Sequence, residues 1–386
     1  MNPSRDRFLI PVCVLLVLGV FCPASAQVYT YSATASGNWS ANAWAGTAPS
    51  AGGGSGYQLV FNSNTTNNLT FTDDFGTGTF LLNSLTVGGN MGFTLASSGA
   101  TPDVLTFVAN GGVNPTLTNK TGNYPVTISS AVLVTDALTI NGTGTNALVF
   151  SGPITNNGGI TIDEAGAGRV SFLTGGGTFV NNGGITVAAT NAGTVILGGN
   201  SAGTAATFSG SGGITINGGS NLTMYNYDTY SFAGDVVLNG GTLTAWLNAP
   251  TALGTGTLRL HGGTLAMTGG SSDYILNAID LSGTVTLQYA SSNSNGFGNQ
   301  GAVTLSGDTV LNDSLSFKFA SGTGNTVDLQ GHSLTVNMNG PTTGTIPIAT
   351  FASIVDSGTA GSLVIASTGT GTASFGDILD KGGITI

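Results

Sequence analysis

Charge is scarce in this chain: Asp, Glu, Lys and Arg make up 6% of its 386 residues. Glu164 is the only glutamate, and Lys120, Lys318 and Lys381 are the only lysines. The charged helix formers Glu and Lys are therefore nearly missing. What remains is Thr, Val, Ile and Leu alternating with Asn and 63 glycines, a mixture that favours short strands and tight turns. Cysteine is scarcer still. Cys13 and Cys22 both lie near the N-terminus, inside an expected leader, so neither disulfides nor thiolate chemistry are expected in the mature chain. No basic stripe is present, which argues against nucleic acid as a partner. Disorder is disfavoured as well, because 40% of the residues are hydrophobic and the charge is low.

Residues 1–26 read as a secretory signal peptide. Arg5 and Arg7 precede an apolar run from Phe8 to Cys22, and Ala24-Ser25-Ala26 is a small-residue cleavage site. The run, ~15 residues, is shorter than the ~20 needed to span a bilayer, so no transmembrane segment is expected after cleavage. Phe21 is too bulky for the residue before a lipidated cysteine. Without Arg5, Asp6 and Arg7, 16 acidic and 5 basic side chains remain, spread singly, a balance that favours solubility.

The main internal signal is repetition. Gly158-Gly159-Ile160-Thr161-Ile162 is followed by Gly183-Gly184-Ile185-Thr186-Val187 and Gly212-Gly213-Ile214-Thr215-Ile216. Gly240-Gly241-Thr242-Leu243-Thr244 and Gly262-Gly263-Thr264-Leu265-Ala266 continue the series, and Gly382-Gly383-Ile384-Thr385-Ile386 ends it. Intervals of 22–29 residues suit one coil of a solenoid with about three short strands. Alternation directs apolar residues to one face and Thr to the other, and only stacking in register buries the apolar face. The expected fold is all-β, a right-handed parallel β-helix with an N-terminal cap; an antiparallel sandwich is the alternative. At ~25 residues per coil and ~4.8 Å between strands, the rod would be on the order of 70 Å long. Residues 27–58, with Trp39 and Trp44, read as the cap, and 59–386 as the repeats.

The stretch Asp228–Leu265 carries Asp-Thr-Tyr-Ser-Phe-Ala-Gly-Asp-Val-Val-Leu-Asn-Gly-Gly-Thr-Leu, then Ala252-Leu253-Gly254-Thr255-Gly256-Thr257-Leu258 and Gly262-Gly263-Thr264-Leu265. It resembles the autotransporter-associated β-strand repeat. Asp228 stands where that pattern has Asn, and Phe232 and Ala233 loosen its first glycine turn. Gly37-Asn38-Trp39-Ser40 and Asn83-Ser84-Leu85-Thr86-Val87 are also similar to openings of such proteins. The resemblance implies a pectin-lyase-like β-helix displayed outside a bacterial cell, secreted or on the outer surface. It implies little about activity, because the motif builds coils in passengers with many roles. A C-terminal translocator barrel and a C-terminal sorting helix are both missing from the sequence, which suggests a shortened reading frame or another export route.

Candidate chemistry is sparse. His261 and His332, the only histidines, lie in glycine turns and read as structural. Asp163-Glu164 with Arg169 is the densest charge cluster, but adjacent strand residues point to opposite faces and cannot flank one bond; a solvated loop is the expectation. Asp73-Asp74 lacks the repeat or loop context of a calcium site. Tyr225, Tyr227 and Trp246 concentrate aromatic surface that could stack on sugar rings, against a reading as ladders over the coil, while Tyr230 reads as structural. The expectation is thus a non-enzymatic structural or adhesin-type stalk without catalytic residues, metal or cofactor. Its expected partners are glycans or proteins of a host, neighbouring cell or matrix. The alternative is a carbohydrate-binding or polysaccharide-degrading β-helix, which would need three or more charged groups converging in a groove.

Overall fold

The computed structural model describes residues 25–386 except 33, 42, 65–67, 200–204, 226–227, 248–249, 270–273, 290–296, 314–316, 339–347, 368–371, 380–381 and 386. The leader expected at 1–26 therefore lies almost wholly outside the described residues. The described chain is a parallel β-helix. Every pairing between its named strands is parallel, which rules out the sandwich.

Each coil visits three sheets in turn. The stretch 138–156 shows the order: Leu138–Gly142 lies in the first sheet, Leu148–Phe150 in the second and Ile154–Asn156 in the third. The next coil repeats it with Ile160–Glu164, Val170–Phe172 and Gly177–Asn181. The first two sheets are joined into one of 28 strands. The join comes from two 11-residue strands, Ile279–Tyr289 and Val303–Asp313, that run round the corner and pair in both ladders. The third sheet is split into segments of 7 and 5 strands.

The break falls in the coil that runs from Val236 to Leu258. There the third side is a turn at Thr251–Gly254, with Gly254 N–H donating to the Thr251 carbonyl at 2.9 Å. Ala252 and Leu253 are buried beneath it. Gly254 has φ +71°, and a Cβ there would meet the Phe232 ring at 2.7 Å, so glycine is required on two counts.

Alternation produces the core. Ile160, Ile185, Ile214, Val236, Leu258 and Ile279 form one inward row of the first sheet, each in register with the next. Phe150 stacks on Phe172 in the second sheet (centroids 5.0 Å apart, 9° between planes), and Phe319 on Phe351 in the third (5.0 Å, 3°). Each row is continuous because a one-residue slip would expose a whole strand's apolar set.

The glycine doublets belong to two corners, not one. Gly158, Gly183 and Gly212 precede strands of the first sheet, whereas Gly240, Gly262 and Gly382 precede strands of the second. The 28-residue interval from Gly212 to Gly240 is thus not a coil; the coil partner of Ile214 is Val236. Residues 27–58 are themselves a coil. Gln27–Tyr31 pairs in parallel with Tyr57–Asn62, and Gly37–Asn38 pairs with Leu69–Asp73. Trp39 and Trp44 are buried with Tyr31, Phe61 and Phe71, filling the interior of the first coils with rings.

The inward asparagines Asn156 and Asn181 are satisfied by the neighbouring coil, whereas the two carboxyl oxygens of buried Glu164 have no hydrogen-bond partner among the described residues. Asn181 is buried, donates to the Gly212 and Gly213 carbonyls at 3.0 and 3.2 Å, and accepts from Gly184 N–H and from Asn156 Nδ2. Asn181→Ala strands these groups and is expected to cost about 2–3 kcal/mol, against about 0.5 kcal/mol or less for the exposed neighbour Asn182→Ala. Denaturant midpoints of the two variants check this; equal midpoints would contradict the role given to the inner asparagine.

Candidate functional site

Two of the three aromatic candidates come together. Leu222 and Met224 face inward, as do Leu243 and Ala245 on the strand they pair with, so Tyr225 and Trp246 fall outward at the end of the second sheet. Their ring centroids are 5.5 Å apart at 53°, and both side chains are half-buried. The tilt presents two separate ring faces and no continuous platform. Tyr227 lies outside the described residues. Tyr230 is buried in the third sheet, stacked on Phe208 at 5.0 Å with its hydroxyl donating to the Leu197 carbonyl at 3.0 Å.

The cluster at 163–169 does not form a site. Asp163 points out and accepts from the Thr190 hydroxyl, and Arg169 is exposed. Glu164, expected in a solvated loop, is instead the last residue of the strand Ile160–Glu164 and fully buried. The cause is the period of two: 160, 162 and 164 share the inner face. Burial pushes its carboxyl up to about 7. Asp73 is buried in the same way and raised to about 7, first by desolvation and further by the neighbouring Asp103 and Asp74. Asp74 accepts from the Ser40 amide and hydroxyl.

The structure converges charges elsewhere, between His261 and residues one coil away on either side of Arg259. Arg259 Nε donates to Asp235 at 2.7 Å, and its Nη1 donates to Asp280 at 2.9 Å. His261 Nε2 lies 3.2 Å from the same Asp280 oxygen. The partners are 24, 21 and 19 residues apart, close to one coil each, so the coil period was the signal that could have found them. Burial pushes the Asp280 carboxyl up, but hydrogen bonds from Ser306, His261 and Arg259 outweigh it and hold the group below its usual range. An ionised Asp280 clamped by arginine has no proton to donate, whereas glycoside cleavage requires a carboxylic acid with a raised pKa beside a second carboxylate. The arrangement links three successive coils.

His332 stands at the same kind of corner, its Nδ1 3.8 Å from Asp308. The two histidines thus pair with different aspartates. Among the described residues, no group of three or more His, Cys, Asp or Glu side chains could hold a metal ion, and no helix is long and apolar enough to cross a membrane. Comparisons with protein-family models, curated proteins and solved structures find no match for this chain.

The buried carboxyls set a pH dependence. Ordinary values of 4.5 for Glu164 and 3.8 for Asp73 rise to about 7 on folding. Between those values the native state holds more protons than the unfolded chain, so stability falls as pH rises from about 4 to about 7 and stays reduced above that. Asp280 and Asp328 are held low and act with the opposite sign, below this window. Glu164→Gln is expected to raise the thermal midpoint at pH 8 and to flatten its decline between pH 4.5 and 7. If the variant and wild-type midpoints ran parallel across that window, the assignment of Glu164 would be wrong.

Proposed function

We propose that this chain is an extracellular, surface-displayed stalk of the adhesin type, a passenger-like β-helix that holds binding surface away from a bacterial cell. The observation that carries the reading is the stack itself. Coil upon coil buries its apolar rows inward, and one outer row repeats threonine along the axis at 139, 161, 186 and 215. Such a stack is stiff along its length and tolerates variation outside, as a spacer with distributed contacts requires. The leader-like residues 1–26 and the low, scattered charge support export and solubility. The similarity of residues 228–265 to the autotransporter-associated repeat supports display at a cell surface. The half-exposed Tyr225 and Trp246 provide ring faces for glycans or proteins of a neighbouring cell, host or matrix.

A second reading, a polysaccharide-degrading β-helix, is favoured by one observation: Arg259 bonds both Asp235 and Asp280, and His261 lies within hydrogen-bond reach of Asp280. Two assays on the full chain separate the readings. Expressed in a bacterial host, the stalk should be cleaved by protease added to intact cells, and its expression should increase attachment to glycan- or matrix-coated surfaces. The purified chain should release no reducing ends from plant or microbial polysaccharides. Turnover that disappears in Asp280→Asn would replace the stalk with the enzyme.

A further inference from the structure

One outer row of the first sheet runs Thr116, Thr139, Thr161, Thr186 and Thr215 over five successive coils, each residue in register with the next. Thr116 donates to Ser84 at 3.3 Å, while the other four hydroxyls have no hydrogen-bond partner among the described residues. Stacking does not demand threonine here, because the same row continues with Val237, Arg259 and Asp280.

Beside Thr161, Thr186 and Thr215 lies a groove of about 370 Å³, at the corner between the third and first sheets. Its floor includes Gly159, Gly184 and Gly213. The glycine doublets are explained by the coil corner alone: a Cβ on Gly183 would stand 2.1 Å from the Gly159 nitrogen, and one on Gly212 would stand 2.4 Å from the Gly184 nitrogen. They are not evidence for a ligand. The evidence is that this groove coincides with the run of unpartnered hydroxyls. Just before these glycines stand the exposed Asn157 and Asn182, themselves hydrogen-bonded at 2.9 Å. No charged side chain lines the groove.

We propose that this groove binds a linear, uncharged, β-linked polysaccharide lying along the helix axis. Hydroxyls without internal partners match sugar hydroxyls, which both donate and accept. The neutral lining gives a charged polymer no advantage. Extended β-1,4-linked pyranose chains advance by about 5 Å per sugar, near the ~4.8 Å between strands, so over three coils each coil meets one sugar, with alternate units turned over. The hydroxyls are fixed on a rigid sheet before binding, which lowers the ordering cost. No aromatic residue lines this groove, so each sugar gains little and affinity comes from the number of units engaged together.

The assignment adds a ligand to the stalk reading. The test uses the full chain, with insoluble cellulose and chitin as uncharged polymers and polygalacturonate as the anionic comparator. Retention is expected on an uncharged polymer, and hexasaccharides should compete at least about tenfold better than disaccharides. The triple variant Thr161→Val, Thr186→Val, Thr215→Val keeps shape and strand propensity. It should lose about tenfold in retention with an unchanged unfolding midpoint, whereas Thr178→Val, at an exposed position of the third sheet, should bind as the wild type does. No retention, undiminished retention by the triple variant, or preference for polygalacturonate would overturn the groove assignment. None of those outcomes touches the stalk reading, which the surface-exposure assay decides separately.

Discussion

Parallel stacking makes every coil dependent on its neighbours, and the rest of the molecule follows from that dependence. A strand such as Ile185–Val187 has no hydrogen-bond partner in its own coil; it pairs with Ile160–Glu164 on one side and Ile214–Ile216 on the other. Its apolar side chains are likewise covered only if adjacent coils place theirs at the same positions. Register is therefore the controlling variable. It accounts for the aromatic stack of Phe150 on Phe172, for the corner glycines that let backbones approach, and for the inner asparagines that join one coil to the next.

The same constraint explains the two kinds of charged residue. On the outer face, Arg259 reaches Asp235 and Asp280 in neighbouring coils, and the ion pairs follow the strand stacking. Arg259 and Asp235 are well exposed, so their pairing adds little to stability. On the inner face, Glu164 and Asp73 occupy positions that period-two alternation assigns to the core, and burial holds their protons. Function has to lie on the outer face, where alternation leaves side chains free of packing demands. Both the Tyr225–Trp246 pair and the threonine row lie there.

Much of the fold was legible in the sequence because Gly-Gly-Ile-Thr followed by Ile or Val, at 158, 183 and 212, states turn, strand and face together, at coil-sized intervals. Its limits are equally physical. Gly-Gly followed by a β residue marks a corner but not which corner, so Gly240 and Gly262 continue the series in sequence while standing at the other corner. Residues 27–58, read from Trp39 and Trp44 as a cap, carry in Gln27–Tyr31 the alternating pattern of a first rung. Charge bias placed Glu164 in solvent, where continuing the alternation of Ile160 and Ile162 would have placed it inside. The Arg259 network was hidden because its members are close only across coils, and local spacing does not show that.

The central claim is that distance along the molecule grows by one strand spacing per coil. Spin labels on the outer row test it, in a chain whose Cys13 and Cys22 are changed to serine. Thr161 and Thr304 stand six coil steps apart and Thr116 and Thr304 eight, all in one register row. Pulsed electron paramagnetic resonance should give backbone separations of about 29 Å and about 38 Å, in proportion to the steps. Separations that do not grow with the number of coils would contradict the stacked helix.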